Sequence, residues 1–207
     1  MKNILLSCLL SFSFINKSKA QFVTIPDTNF VSFIQTTFPS AMSGNMMDTT
    51  NAGIVNAVSL DVNNLSIQDL SGIQYFDNLS DLYCYSNQLS ALPTLPANLT
   101  KLYCAGNQLT SLPILPSSLI QLECNNNPIS TLPLLPNSLV YFNCINNLFT
   151  TFPPLPNNLE HLYCSVTPIT SWPTLPNSLL ALSIGNSNLT TMPILPPNLI
   201  EFGCAGM

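Results

Sequence analysis

The stretch LTKLYCAGNQLTSLPILP, residues 99–116, recurs along the chain at a spacing of 20 residues without slippage. Its cysteine returns in register, and one isoleucine fills the single gap: Cys84, Cys104, Cys124, Cys144, Cys164, Ile184 and Cys204. A pair of prolines closes each repeat, from Pro93 and Pro96 to Pro193 and Pro196. A fixed period of this length predicts a solenoid, in which each repeat forms one turn and stacks on the next.

Each repeat combines a predicted strand with a proline-rich return segment. In Lys101–Ala105 apolar residues alternate with others, so Leu102 and Cys104 are expected to point into the core and Tyr103 outward. In Leu112–Pro116 the Leu-Pro pair recurs with the three-residue period of polyproline II, and proline prevents a helix there. We therefore expect a parallel sheet on one side of the solenoid and extended segments on the other.

The consensus LxxLxCxxNxLxxLPxLPxx resembles the leucine-rich repeat, and more narrowly the short bacterial LPxLP type, over residues 79–207. The resemblance implies an α/β-type repeat solenoid that is mostly β and irregular. It is expected to be a right-handed leucine-rich-repeat solenoid with a parallel sheet on the concave side, a polyproline II convex side and a small helical N-terminal cap. The solenoid is predicted to cover residues 57–207.

Residues 57–78 are predicted to form transitional repeats. Leu60 and Leu82 are 22 residues apart, and LSIQDLSGIQYFDNL resembles the internalin-like subtype. Val58, Leu60 and Val62 are expected to alternate as a strand, and four apolar residues follow at leucine-rich-repeat spacing: Leu65, Ile67, Leu70 and Ile73.

Residues 1–20 are predicted to be a secretory signal peptide. Lys2 precedes the apolar run Ile4–Ile15, and Ser18–Ala20 forms a plausible cleavage site. The run is too short to span a membrane. Leu5–Cys8 looks like a lipoprotein box, but the apolar run continues past Cys8, which argues against lipidation. The mature protein is therefore expected to be secreted or held at the outer cell surface.

Residues 21–56 lack the repeat and are predicted to form a helical cap over the first strand. Asp27 or Thr28 is expected to start the helix and Pro39 to end it, with four apolar residues on one face: Phe30, Phe33, Ile34 and Phe38. The opening IPDTNF resembles that of secreted bacterial leucine-rich-repeat proteins. Gly44–Asn51 holds one carboxylate, too few for a calcium loop, so we predict no metal.

The charge balance of the mature chain excludes several partners. Nine acidic residues stand against Lys101 alone once residues 1–20 are removed, a net charge of −8, and the chain has no arginine. Phosphate backbones need clustered basic side chains, so nucleic acid is not expected as a partner. Anionic membrane surfaces are disfavoured for the same reason, and the mature chain has no apolar run long enough to insert into a bilayer.

The cysteine column is predicted to consist of buried free thiols. Six cysteines in an exported chain would normally indicate disulfides, and adjacent strands about 4.8 Å apart permit the Cα distance. The Cα–Cβ bonds are parallel, however, so the sulfurs would have to turn toward each other against the pleat to form a bridge. A straight column also cannot converge tetrahedrally on zinc. A column of asparagines in the turn after the strand is expected to be structural, the asparagine ladder of the family: Asn87, Asn107, Asn127 and Asn147.

The sequence offers no set of catalytic residues. His161 is the single histidine, and Cys164, three residues on, is expected on the opposite face of the strand. No glycine-rich phosphate loop occurs. We therefore predict a protein that is not an enzyme and needs no cofactor.

The outward strand positions are the candidate functional residues. Tyrosines, the histidine and a few charged side chains cluster there: Tyr83, Tyr85, Lys101, Tyr103, Glu123, Tyr141, His161 and Tyr163. The core has no need of tyrosine at these positions, and tyrosine is enriched in binding surfaces. The alternative is that tyrosine simply suits an exposed strand.

The predicted function is recognition, outside the cell, of a protein, peptide or glycan through the concave face. One alternative is the recognition arm of an LPxLP-type effector, whose resemblance would imply a separate ubiquitin-ligase domain. Another is an adhesion spacer without a specific ligand. The last predicted strand, Phe202–Cys204, has no return segment before Met207. We therefore expect an uncapped C-terminal end: either a longer native chain, with more repeats or a sorting domain of type IX secretion cargo, or end-to-end self-association.

Overall fold

The computed structural model describes residues 22–189 and 191–204, so the predicted signal peptide lies outside the described residues. The N-terminal segment holds a small antiparallel sheet of order β1-β3-β2, formed by β1 (Phe22–Thr24), β2 (Met42–Ser43) and β3 (Met46–Asp48). Helix α1 (Thr28–Thr37) lies between β1 and β2, and a short helix α2 (Ala52–Val55) follows β3. The sequence predicted helix α1, and the sheet was not anticipated.

Helix α1 begins and ends where the sequence indicates. Asp27 is its N-cap, and Pro39 opens a separate 3-10 helix, Pro39–Ala41. Phe30 and Ile34 are fully buried, whereas Phe33 and Phe38 pack against the core only in part.

Asp27 also attaches α1 to the first repeat. One carboxylate oxygen accepts the backbone N–H groups of Asn29 and Phe30, each at 2.9 Å. The other accepts the N–H of Gln68 at 2.7 Å and of Asp69 at 3.3 Å. A single side chain therefore both caps the helix and bonds it to the first repeat, and Asn29 Nδ2 adds a bond to the Ser66 carbonyl at 3.1 Å.

An eight-stranded parallel sheet organises the rest of the described chain, with one three-residue strand per repeat. The strands are β4 (Ser59–Asp61), β5 (Asp81–Tyr83), β6 (Lys101–Tyr103), β7 (Gln121–Glu123), β8 (Tyr141–Asn143), β9 (His161–Tyr163), β10 (Ala181–Ser183) and β11 (Glu201–Gly203). They pair in sequence order from β4 to β11. The predicted leucine-rich-repeat solenoid with a parallel sheet is confirmed.

The return segments carry no helix in the LPxLP repeats that the structure describes. A 3-10 helix, Ile73–Tyr75, occurs instead in the transitional repeat. It follows Gly72, whose φ of 114° and close approach to Ile25 leave no space for a β-carbon. Of the helices that the structure describes, none has the length and apolar character needed to cross a bilayer.

The core is a set of stacked columns, one for each inward position of the repeat. Leu82, Leu102, Leu122 and Phe142 form one of them and are fully buried. In the transitional repeat Leu60 and Val62 join the core, but Val58 is 58% exposed because it precedes strand β4. Leu65 is also partly exposed. It stands where later repeats place asparagine, in the turn after the strand, rather than at a core position.

Five of the six cysteines in the described residues form a buried column of free thiols: Cys84, Cys104, Cys124, Cys144 and Cys164. Two of the thiols donate to backbone carbonyls of the next strand: Cys144 to Tyr163 at 3.4 Å and Cys164 to Ser183 at 3.2 Å. Cys204 is also a free thiol, but its predicted burial was wrong, because it is exposed. It lies next to the edge strand β11, and none of the described residues packs over it.

The asparagine column bonds each repeat to its predecessor. Asn107 Nδ2 donates to the carbonyls of Cys84 and Cys104 at 3.0 and 3.1 Å, and its Oδ1 accepts the Leu89 N–H at 3.0 Å. Asn127 and Asn147 repeat this pattern one and two turns on. These buried contacts make the column structural, as the turn chemistry of asparagine predicts.

The residue before each ladder position adopts a left-handed backbone. It is Ser86, Gly106, Asn126, Asn146, Val166 or Asn186 in successive repeats, with φ between 53° and 63°. Glycine and asparagine tolerate this region, whereas a β-branched residue is strained there. Val166 is therefore the one residue of this set that is poorly suited to its backbone.

Replacing Val166 with Asn should raise the free energy of unfolding by about 1 kcal/mol. The valine side chain is 47% exposed, so its loss removes little packing while the left-handed strain is relieved. Urea unfolding of both chains measures the change. Asn126→Val is the matched reverse substitution and should destabilise. A destabilised Val166→Asn variant would show that packing of the valine outweighs its strain.

The thiols should react in two classes. Burial raises the pKa of Cys104 to about 12 and the pKa values of the other four buried thiols above their usual range. Since the thiolate is the reactive form, only Cys204 should react in the folded chain. Denatured, unreduced protein should then yield six thiols within residues 21–207. Two or fewer would contradict the free-thiol assignment.

Candidate ligand-binding surface

The outward side chains of the sheet form two columns in register. Asp81, Lys101, Gln121, Tyr141 and His161 make the first; Tyr83, Tyr103, Glu123, Asn143 and Tyr163 make the second. The eight candidate residues define what we call the tyrosine face: Tyr83, Tyr85, Lys101, Tyr103, Glu123, Tyr141, His161 and Tyr163. Seven of them lie on β5 to β9. Tyr85 follows β5 and is 40% exposed.

The aromatic side chains of the tyrosine face fall into two groups. Tyr83 and Tyr103 stack, with ring centroids 5.0 Å apart and planes 16° apart. Tyr141 packs against Tyr163 at 5.6 Å and against His161 at 6.0 Å. These contacts hold the rings in fixed positions while leaving them partly exposed, because neighbouring rings on adjacent strands support each other.

Lys101 is already engaged by a neighbouring strand. Its Nζ lies 3.2 Å from Asp81 Oδ2, and this hydrogen bond, with the charge of Asp81, raises the pKa of the lysine. Exposed pairs of this kind contribute little stability. The pair does cancel the charge at this end of the face.

Glu123 lies between the two aromatic groups. Burial raises the pKa of its carboxyl, against a smaller lowering by a hydrogen bond from the Tyr141 side chain. Burial and the nearby Glu123 carboxylate also raise the pKa values of Tyr103 and Tyr141. The Tyr103 hydroxyl is bonded to Gln121. The centre of the tyrosine face is therefore a half-buried acid surrounded by phenol groups.

Sequence reasoning missed two polar residues of this surface. Gln121 binds the Tyr103 hydroxyl. Asn125, two residues beyond Glu123, has a side-chain oxygen that is buried without a hydrogen-bond partner. A polar residue at an outward strand position is unremarkable in sequence, so only the three-dimensional neighbours reveal these roles.

The outward side chains of β10, the strand after β9, are small. Ala181, which pairs with His161 in the first column, is only 2% exposed, because its small side chain lies between the larger side chains of His161 and Glu201. Ser165 and Ser183 hydrogen-bond to each other, at 2.6 Å. The large side chains of the face therefore end with His161 and Tyr163.

The described residues hold no group of three or more His, Cys, Asp or Glu side chains placed to bind a metal ion. The buried thiols have raised pKa values and lie in the core, so none of the five is an activated nucleophile. The surface does offer aromatic rings in fixed positions and one carboxylate without a counter-charge, that of Glu123.

Comparison with solved structures finds bacterial leucine-rich-repeat proteins. YopM from Yersinia enterocolitica aligns with a TM-score of 0.71 and 34% identity, over 73% of this chain and 33% of YopM. A Shigella effector leucine-rich-repeat domain aligns with a TM-score of 0.63 and 31% identity, over 67% of this chain and 62% of that domain. No protein-family model matches, and no curated protein is significantly similar in sequence.

The functional domain of InlJ from Listeria monocytogenes aligns over more of the chain. Its TM-score is 0.70 with 26% identity, over 90% of this chain and 48% of InlJ, and that domain includes a cysteine ladder. The present chain thus has the leucine-rich-repeat fold and resembles bacterial proteins that carry it. It spans less than two thirds of the length of each of these three structures.

Replacing Glu123 with Gln should stabilise the fold at neutral pH. The pKa of the carboxyl is raised above its ordinary value of 4.5, so the folded state holds the proton more tightly than the unfolded chain. Its favourable contribution is present below that value and is lost as pH rises through the folded pKa. The variant should gain stability over the native chain as pH rises from 4.5 toward neutrality, and not at lower pH.

Urea unfolding across this pH range measures the difference. Glu201→Gln removes the same charge from an exposed position on β11 and corrects for the general effect of lowering net charge. An equal response of both variants would show that burial of Glu123 does not matter.

Proposed function

We infer that this chain is a recognition module that binds a protein, peptide or glycan outside the cell through the tyrosine face. The observation that carries the proposal is the fixed aromatic surface itself. Five half-buried rings on strands β5, β6, β8 and β9 lie on the outward face of the sheet. Rigid amphipathic rings provide contact area at low entropic cost, and such residues dominate binding energy at interfaces.

A protein-interaction role agrees with the proteins of similar fold. Repeat solenoids present extended concave surfaces to their partners. The likeness to InlJ supports a secreted or surface-held bacterial protein, and the predicted signal peptide points the same way. Non-enzymatic binding is the function this arrangement supports best.

The second candidate is the recognition arm of an effector. The structures from Yersinia and Shigella are leucine-rich-repeat proteins, the Shigella one an effector domain, and they share up to 34% identity with this chain. In that case a ubiquitin-ligase domain would belong to a longer chain. Activity of a longer chain, measured as ubiquitin transfer, would distinguish this candidate from a surface receptor.

Tyr103→Ala and Tyr163→Ala should each weaken binding about tenfold, because each removes a ring from a different aromatic group. The ligand is first found on a glycan and peptide array probed with the chain, and affinity is then measured by calorimetry. Melting temperatures should stay within about 2 °C of the native value, since the rings lie outside the core.

Thr94→Ala and Thr174→Ala are the matched controls. Both threonines are exposed on the proline-rich side of the solenoid and should not affect affinity. Equal losses from the two sides would place the binding surface elsewhere. Absence of any ligand would favour the spacer alternative.

A further inference from the structure

The acid at the centre of the tyrosine face has no cationic partner within the described chain. Lys101 and His161 are the only basic side chains in residues 22–204. Lys101 pairs with Asp81 at 3.2 Å. His161 lies on β9, two strands from Glu123, and packs against Tyr141. A half-buried carboxylate without a counter-charge is costly, so a bound cation at this place would be strongly favoured.

The walls around Glu123 suit a cation. Tyr103 is directly opposite Glu123 across the β6–β7 pairing, and its ring stacks on Tyr83. Tyr141, on the other side, lies diagonally across β7 and β8 and hydrogen-bonds to the carboxylate. Tyrosine ring faces attract cations held within about 6 Å. The acid and the rings therefore favour the same kind of ligand.

We propose that Glu123, Tyr103 and Tyr141 form a surface site for the guanidinium group of an arginine side chain on a partner protein. This proposal rests on the recognition function above and names the chemistry of the partner. Guanidinium is planar, stacks on aromatic rings and matches a carboxylate with two parallel N–H donors. The lysine ammonium is a compact charge without a planar group that could stack on the rings. A neutral glycan leaves the carboxylate uncompensated.

The charge of the whole chain assists the encounter. The net charge is −5 for the full sequence, with nine acidic residues against four basic ones. Such a field attracts a basic segment and raises its association rate, more so at low salt. The partner is accordingly a protein with an exposed, arginine-bearing basic segment.

The probe for the test is the blocked peptide acetyl-Gly-Gly-Arg-Gly-Gly-amide, compared with its lysine and citrulline counterparts. Citrulline keeps the shape and most donors of arginine but lacks the charge. The full chain, with ¹³C-labelled tyrosine rings, is titrated with each peptide and followed by NMR. Tyr103 and Tyr141 signals should shift, and Tyr75, in the 3-10 helix Ile73–Tyr75, should not.

The arginine peptide should bind about tenfold more tightly than the citrulline peptide, because a charge-assisted contact is lost in the latter. Glu123→Gln should reduce the arginine affinity to the citrulline level, and Glu201→Gln, on the same face but on β11, should leave it unchanged. The lysine peptide should bind more weakly than the arginine peptide, because its ammonium cannot stack on the rings. Circular dichroism confirms that each variant is folded.

Equal affinity for arginine and citrulline, or no shift of Tyr103 and Tyr141 with any peptide, would overturn the proposal. The recognition function fails on different grounds. A neutral glycan or an acidic peptide that binds in a Tyr103-dependent manner would leave recognition by the tyrosine face intact and refute the arginine site. A ligand whose binding ignores both Tyr103 and Tyr163 would refute both.

Discussion

The solenoid depends on the side-chain amide that links each turn to the turn before it. The Nδ2 of Asn107 donates to the backbone carbonyls of Cys84 and Cys104, and its Oδ1 accepts the N–H of Leu89. Because Asn107 and the backbone groups that it bonds to are buried, water cannot satisfy these groups, and an unpaired one is destabilising. The amide thereby fixes the 20-residue register, which in turn aligns the core columns and the outward columns.

Later repeats keep part of this connection with a shorter side chain. Thr167 replaces asparagine, and its hydroxyl bonds to the carbonyl of Cys144 at 3.3 Å. A hydroxyl supplies one donor where the amide supplies two, so the turn is bonded less completely. The strained Val166 immediately precedes it. The repeats after β9 are consequently held more by packing of apolar columns than by the polar ladder.

The sequence was sufficient for the features that repeat. Alternation within Lys101–Ala105 predicts the strand and its two faces, and the 20-residue period alone places Tyr103 beside Glu123, as the strand pairing shows. It was insufficient where residues far apart in sequence meet outside the repeat. Asp27 bonds to Gln68, 41 residues away, and no local pattern predicts that contact. The sequence likewise gives no sign that the side-chain oxygen of Asn125 is buried without a hydrogen-bond partner.

In an oxidising medium, the buried cysteine column makes unfolding irreversible. While the chain is folded, five sulfurs lie at 0% exposure and are protected from oxidants. Once a few turns open, thiols that recur every 20 residues become free to form disulfides with each other in many combinations. Most of those pairings are incompatible with the parallel stack and would block refolding. In such a medium the lifetime of the folded protein is then set by how rarely it opens, a rate rather than an equilibrium.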